Sequence, residues 1–590
     1  MLFALRAESD GLLRSLYEAE PLRVDEILQF LFPYSMQETC LYGLLCLVIA
    51  LTAGRNKTLP ALTRVEGCGC ALFSLCLTAG ASLLSVDGFF TRFHSVRMLA
   101  AYLFCLIGNG ILLWICLVWM KLGLQRLMTQ SHMPAVGFGT EGQLFLRNMG
   151  ILALCWLPYA ALRYPAGLEY DGYHQIARFL EGRLTTHWPP ASSAWMGSFV
   201  RLGETLLHSA NAGIFLYVLV NLLLGAAVFA YSLTVLTRFG VPRICIRCLL
   251  VLYALIPVYP GFITSVVKDA PFAVLVLWFT LLLSEQVIPG SQGSLRGLLL
   301  LCIAGFLMAI LRNNGIFLIL GAMAGLPFLR GRARRGLLTA LGSAAMLFGL
   351  YQYLFLPMLH IPAGSVAEAL SVPFQQTARL IREAPEAVTP EEQSVIAEVL
   401  DWKTLKKEYD PFLADPVKSS YHTEDRAALF RYLRVWFREG LRCPGIYLDA
   451  FLINGIGFFY PGIRMDTVDT MSGVYTMIWN DKEVQFTVPS ALEGVRPVLK
   501  RVVRTVENLP LVLPFVNTAI QCWMPVCLML WAIRRRDREA AYLLIPSVLG
   551  VLVCLASPTY MNNGARYALP MVYTNLFLIA TALRRKGTEG

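Results

Sequence analysis

The apolar run Met149-Gly150-Ile151-Leu152-Ala153-Leu154-Cys155-Trp156, which closes near Arg163, opens into Tyr170-Asp171-Gly172-Tyr173-His174-Gln175. His187-Trp188-Pro189-Pro190 follows twelve residues later. A carboxylate, two histidines and an amide at the edge of such a run are costly to keep unless they meet water, a ligand or one another. This loop is therefore the expected centre of the chemistry, and the apolar segments around it are the expected frame.

Composition agrees with a membrane frame. The 590 residues are 56% hydrophobic and 15% charged, whereas soluble domains carry about 25% charged residues. The net charge of +11 would suggest nucleic acid in a soluble chain. Here most Lys and Arg fall in short loops between apolar segments, as orientation in a membrane requires, so no nucleic-acid partner is expected. The acidic start (Glu8, Asp10, Glu18, Glu20, Asp25, Glu26) lacks the layout of a cleavable signal peptide. Most of the fifteen cysteines lie in apolar runs, where Cys behaves as a small hydrophobe. Cys245-x-x-Cys248 has no second pair to complete a zinc site.

Apolar spans of about 20 residues cross a bilayer. About thirteen are expected, near 39–54, 68–86, 98–120, 147–164, 213–237, 244–261, 270–287, 297–311, 315–329, 336–359, 511–533, 541–558 and 567–583. Basic clusters at Arg55/Lys57/Arg64, Lys121/Arg126/Arg147, Arg238/Arg243/Arg247, Arg330/Arg332/Arg334/Arg335, Arg534/Arg535/Arg536/Arg538 and Arg584/Arg585/Lys586 all fall on one side of that arrangement. That side is expected to be cytoplasmic. The 165–212 loop and the 361–510 segment then lie outside.

The expected fold is an all-α polytopic membrane protein, with a mainly helical extracytoplasmic domain between the tenth and eleventh helices. Its parts are an extramembrane tail (1–38), three additional N-terminal spans (39–144), a membrane core (145–360) holding the 165–212 loop, the outer domain (361–510), and C-terminal spans with a short tail (511–590). Within the outer domain, helices are expected near 389–401 and 424–441. In the second, Leu429, Leu433 and Trp436 recur at helical spacing, which suits a helix lying on a membrane or on the protein itself.

Few basic residues stand on the outer side. Lys268 precedes Asp269-Ala270-Pro271, Arg312 precedes Asn313-Asn314-Gly315, Arg566 precedes Tyr567, and Arg163 ends the fourth span. Cations gathered at one depth could hold the phosphate of a lipid carrier through charge-assisted hydrogen bonds; alternatively each snorkels to the headgroups. Asp171 either caps the helix suggested by Gln175-Ile176-Ala177-Arg178, acts as a general base, or ligates a divalent metal, Mg2+ or Mn2+. His174 shares a helical face with it if the helix starts early, and His187 either reaches the same pocket or packs the loop. No G-x-S-x-G elbow, Walker loop or H-E-x-x-H occurs.

Asp171-Gly172-x-x-Gln175, His187-x-Pro189, Lys268-Asp269, Arg312-Asn313-Asn314-Gly315 and Asn563-x-x-Arg566-Tyr567, in that order, resemble a bacterial branch of the GT-C superfamily of polytopic glycosyltransferases. Pro373-Phe374-Gln375-Gln376-x-x-Arg379, Thr389-Pro390-Glu391-Glu392 and Asp415-Pro416-x-Lys418 are similar to that branch's outer domain. The resemblance covers roughly 145–585 and leaves the first three spans without account. It implies transfer of a sugar from a polyprenyl-phosphate donor to a cell-envelope glycan or lipid acceptor, at the extracytoplasmic face of a bacterial cytoplasmic membrane. By the resemblance Asp171 is catalytic base or metal ligand, Arg566 a phosphate contact, and Gln375, Gln376 and Arg379 contacts to donor or acceptor. His174, Gln175, His187, Lys268, Asp269, Arg312, Asn313, Asn314 and Tyr567 complete the expected substrate site. In one departure from members with a paired acidic motif, Asp171 is followed by Gly172 and Tyr173 with no second acid nearby. A lipid-linked-sugar flippase, which would need charged or broken-helix sites at mid-membrane, and a receptor with a binding ectodomain are the alternatives.

Overall fold

The computed structural model describes residues 63–93, 95–130, 140–288, 294–329, 333–463, 475–479, 482–556, 564–582 and 584. The expected tail 1–38, the 39–54 span, Arg55, Lys57, Arg330, Arg332, Asn563, Arg585 and Lys586 lie outside the described residues.

Almost every described element is a helix, and the sequence supplies many of the boundaries. Thr63 with Glu66, Thr140 with Gln143, and Thr389 with Glu392 each form a reciprocal capping box, which satisfies backbone donors that a helix start leaves open. Among the described residues, seven helices are long and apolar enough to cross a membrane: Arg64–Val86, Met98–Val118, Glu141–Leu162, Ala210–Arg238, Asp269–Val287, Arg334–Met358 and Arg538–Leu555. Leu295–Leu311, Gly315–Phe328 and Thr518–Arg534 are apolar but shorter. The run expected as one span at 244–261 is two helices, Arg243–Leu255 and Val258–Ile263. Pro257 stands between them and has no N–H to continue the first. At the 511–533 run, Asn517 ends one short helix and caps the next, Thr518–Arg534.

The chain forms two compact units. One holds the described residues from 63 to 130 and from 366 to 463, with 555, 556 and 564. Its polar part is built on a core of Phe374, Ile381, Ile396, Leu400, Tyr432 and their neighbours. Leu429, Leu433 and Trp436 of the Arg426–Arg442 helix pack against this core, so that apolar stripe is covered by protein. The first described helices belong to the same unit. The fully buried Asp449 carboxylate accepts hydrogen bonds from the backbone N–H groups of Phe89, Phe90 and Thr91 at 3.0, 2.9 and 3.0 Å and from Thr91 Oγ1 at 2.7 Å. Arg382 pairs with Asp87 at 2.5 Å. A buried carboxylate with this many donors is satisfied without a counter-ion.

The other unit holds the described residues from 140 to 365, from 475 to 554 and from 565 to 584. Residues 475–479 and 482–486, a two-stranded antiparallel hairpin, therefore fold with the membrane-type helices although they lie inside the polar 361–510 segment. The helices Glu141–Leu162, Ala210–Arg238, Asp269–Val287 and Leu569–Ala582 enclose a buried aromatic core of Trp156, Phe229, Tyr253, Tyr259 and Tyr573. Trp156 Nε1 donates to the Tyr253 carbonyl at 2.9 Å, which removes the cost of burying the indole N–H.

A two-residue parallel pairing positions the rest. Gly167 lies opposite Ser265 and Leu168 opposite Val266. Each strand runs at once into a helix, Tyr170–Leu180 on one side and Asp269–Val287 on the other. Two helix starts are thereby set side by side, each with an aspartate in its first turn, where the helix dipole favours negative charge.

Candidate functional site

The parallel pair is held from below by Arg163. Its buried guanidinium donates to the Gly261 carbonyl, to Thr264 Oγ1 at 2.9 Å and to Ser265 Oγ at 3.1 Å. It lies under Gly167, where a Cβ would fall within 1.9 Å of Arg163 Nη2. Arg163 thus fastens one strand to the other, apart from the remaining cations. Gly172 explains the residue after Asp171: a Cβ there would sit 2.0 Å from the Val266 carbonyl oxygen. Only glycine lets the Tyr170–Leu180 helix come this close to the second strand.

That approach brings together residues far apart in the chain. Arg566 Nη2 is ion-paired with Asp171 Oδ2, and Lys268 Nζ lies 3.5 Å from the same oxygen. Arg312 Nη1 pairs with Asp269 Oδ1, while Arg566 Nε stands 3.4 Å from Asp269 Oδ2. Arg566 Nη1 is 3.6 Å from Glu169 Oε2. The Arg312 guanidinium lies over the Tyr567 ring at 4.4 Å, and that of Arg566 stands 5.6 Å from the same ring, within cation–π reach. Three carboxylates (Glu169, Asp171, Asp269) therefore face three cations (Lys268, Arg312, Arg566) among the described residues. Of Arg163, Lys268, Arg312 and Arg566, the last three converge.

The electrostatics follow from this arrangement. Burial works to raise the Asp171 pKa, but Lys268 and Arg566 outweigh it and hold the carboxyl down at about 2. Lys268 moves the other way from its ordinary value: burial lowers it, and Asp171 and Asp269 only partly oppose this. Arg566 is held charged, burial being outweighed by Asp269, Asp171, Tyr567 and Glu169. Of the three cations, Lys268 has its paired carboxylate oxygen farthest away, at 3.5 Å, and an added anion would offset the burial that lowers it.

Other expected residues sit in structural roles or different surroundings. The buried Gln175 donates from Nε2 to the Asp171 carbonyl at 3.3 Å and accepts at Oε1 from Ser192 Oγ at 2.6 Å. It ties the Asp171 helix to the Pro190–Leu207 helix. The His174 ring is stacked with Trp188 at 5.9 Å and meets Tyr170 edge-on at 4.2 Å. His187 is exposed, its ring against Trp188 at 4.4 Å. Asn313 and Asn314 form the turn after Arg312, where Gly315 N–H donates to the Arg312 carbonyl at 2.8 Å. Gln375, Gln376 and Arg379 belong to the other unit. Gln375 Nε2 donates to the Asp410 carbonyl at 2.8 Å. Gln376 donates to the Tyr447 carbonyl at 3.0 Å and accepts from Trp436 Nε1 at 2.9 Å. The fully buried Arg379 donates to the Asp87 carbonyl at 2.5 Å and pairs with Glu383 at 2.9 Å and with the Asp87 carboxylate at 3.3 Å.

Glu169 was not expected. A second acid does stand near Asp171, but upstream of it, and its signal was a carboxylate two residues before Asp171. A divalent cation does not fit the cluster. Each of its carboxylates is engaged by an arginine or lysine, and among the described residues no three acidic, His or Cys side chains converge as a ligand set. Mg2+ and Mn2+ need several free oxygen donors.

No curated protein and no solved structure matches the chain. A family model matches residues 154–590, a stretch that holds every member of the cluster from Glu169 to Tyr567 and leaves out the Arg64–Val86 and Val96–Gln130 helices. The chain belongs to that family, DUF6020, a family of unknown function.

Proposed function

We propose that the chain is a multi-pass membrane glycosyltransferase of GT-C-like architecture, with about thirteen spans. It takes a sugar from a polyprenyl-phosphate donor and passes it to a cell-envelope glycan or lipid acceptor on the extracytoplasmic face of a bacterial cytoplasmic membrane. One observation carries the reading. Asp171 shares Lys268 and Arg566 beside apolar helices, so a carboxylate and two cations of the kind that bind phosphate occupy one spot.

In the free state Asp171 is a weak base, because its cations hold it deprotonated. A phosphodiester oxygen entering the cluster draws Lys268 and Arg566 toward itself by charge-assisted hydrogen bonds. Asp171 then loses part of the field that depresses it, and its proton affinity rises. The acceptor oxygen attacks the anomeric carbon as Asp171 takes its proton. The bond from that carbon to the phosphate oxygen breaks, and its electron pair leaves on the phosphate, where Lys268 and Arg566 stabilise the added charge. Arg312, held between Asp269 and Tyr567, is a positioning residue that keeps Asp269 oriented beside Arg566.

The test uses the protein in nanodiscs with radiolabelled polyprenyl-phosphate sugars, following release of label from the lipid by wild type and Asp171→Asn. Release that vanishes in the variant supports the reading. Carriers that stay intact but cross the bilayer when the protein is placed in sealed liposomes would replace it with transport, and equal release by both proteins would remove Asp171 from the chemistry.

A further inference from the structure

A cavity of about 590 Å³ opens in the polar part of the unit that contains 366–464, within the size range of small-ligand sites. Trp402, Asp401, Glu408, Gln393, Lys403 and His422 line it, together with two serines, a threonine and two aliphatic side chains. The hydrogen bonds already made in its wall decide what it can take. Ser419 Oγ donates to the Pro416 carbonyl at 2.6 Å and Ser420 Oγ to the Val417 carbonyl at 2.8 Å. Each hydroxyl has thus spent its proton and keeps lone pairs to offer. His422 Nδ1 stands 3.0 Å from the Ser420 carbonyl. A carbonyl only accepts, so Nδ1 donates to it, and in that tautomer Nε2 is the acceptor of the ring.

Glu408 adds the decisive group. Its Oε2 is buried and has no hydrogen-bond partner among the described residues. A buried carboxylate oxygen left unmet costs free energy that a ligand donor would recover. The wall is therefore rich in acceptors, and its formal charge of two carboxylates against one lysine disfavours a phosphate. Trp402, half-buried against the core of its unit, adds an aromatic surface for apolar C–H groups.

We infer that this cavity is a binding site for a neutral glycan of a few sugar residues, its hydroxyl protons directed to Glu408, the serines and His422, and one ring face laid on Trp402. Its assignment as the site that holds the acceptor rests on the transferase reading, whereas glycan binding stands by itself. Nothing in the argument uses Asp171 or its cations.

The full-length protein in nanodiscs is titrated with chitotriose, cellotriose and maltotriose, with a trisaccharide bearing carboxylates and a lysine tripeptide as comparisons, using saturation-transfer NMR and calorimetry. At least one neutral trisaccharide is expected to bind. Glu408→Gln, close in shape, should weaken it roughly ten-fold, the equivalent of one good hydrogen bond to a charged group, with no loss of thermal stability, since the substitution removes an unmet buried charge. Trp402→Ala should weaken it as well, and Asp171→Asn should leave it as in wild type. Binding of the tripeptide alone, or of a neutral glycan with equal affinity in wild type and Glu408→Gln, would overturn the proposal. Glycan binding in a protein that turns over no lipid-linked sugar would keep this site and remove the transferase reading. Turnover with no trisaccharide bound would do the reverse.

Discussion

Arg566 and Asp171 are ion-paired across 395 residues of chain, and neither side chain is more than about a fifth exposed. Such a pair is vulnerable to loss of one partner, because the survivor stays buried with its charge unmet. Arg566→Met should therefore cost about 3–5 kcal/mol of stability and reduce sugar release at least a hundred-fold. Asp171→Asn removes the group that competes with phosphate for Lys268 and Arg566. It should bind a polyprenyl phosphate as tightly as wild type or more tightly, while transferring nothing. Parallel binding and turnover measurements on the two variants check this, and a large loss of phosphate binding in Asp171→Asn would contradict the shared-cation mechanism.

The same pair fixes a pH dependence. Asp171 is held at about 2, below its ordinary 3.8, by Lys268 and Arg566 acting against burial. A depressed carboxyl contributes stability that is fully present above its unfolded value and is lost as pH falls through the folded one. The contribution is on the order of 2 kcal/mol, and it should disappear between about pH 4 and pH 2. Thermal midpoints in detergent across that window should fall less steeply for Asp171→Asn than for wild type.

Gly172 offers a test of how closely the cluster is positioned. A methyl group there meets the Val266 carbonyl at 2.0 Å, and backbone cannot rotate away as a side chain can. Gly172→Ala should push the Asp171 helix off the strand at a cost of about 1–3 kcal/mol, typical of overpacking. Transfer should fall well beyond what the stability loss explains, since a shift of about 1 Å at a reacting group costs on the order of a hundred-fold. A variant as active as wild type would show that the Asp171–Lys268 spacing does not matter.

How much of this was legible in sequence follows from the range of each interaction. Helices announced themselves through apolar runs and through local caps such as Thr140 with Gln143, which act over a few residues. Lys268, Arg312 and Arg566 could be grouped because each ends or begins an apolar segment at one expected depth. Arg163 met the same criterion but serves the strand pair, and only the pairing of Gly167 with Ser265 separates it from the others. Glu169 reads in sequence as an ordinary loop acid, and only the fold brings it within 3.6 Å of Arg566. The role of the first described helices was invisible for a different reason. Asp449 binds Phe89, Phe90 and Thr91 some 360 residues away, and no local pattern signals a buried carboxylate that takes backbone N–H groups.

The carboxylates of the cluster make a prediction about metals. Each is engaged by a guanidinium or ammonium group, which leaves too few free oxygens for an octahedral divalent ion. Sugar release should survive EDTA at full rate. Loss of activity in EDTA, restored by Mg2+ or Mn2+, would mean that the cluster rearranges to free Asp171 and Asp269 when substrate binds.

Arg379 separates a substrate contact from a structural one. Sequence resemblance marks it as a donor or acceptor residue, yet its buried guanidinium is spent on the Asp87 carbonyl, the Asp87 carboxylate and Glu383. Lysine keeps the charge but cannot reproduce a fork that reaches several oxygens at once. Arg379→Lys should therefore lower the thermal midpoint, with Asp87 and Glu383 left partly unmet. The KM for the polyprenyl-phosphate donor should stay unchanged at temperatures where the variant is folded. Arg379→Met, which removes the charge as well and leaves Asp87 and Glu383 with Arg382 alone, should lower the midpoint further than Arg379→Lys. The discriminating measurement is KM set against thermal stability in one preparation. A variant with wild-type stability and a many-fold higher KM would return Arg379 to the substrate site, and the opposite pattern fixes it as the tie between the Ser371–Glu383 helix and the chain at Asp87.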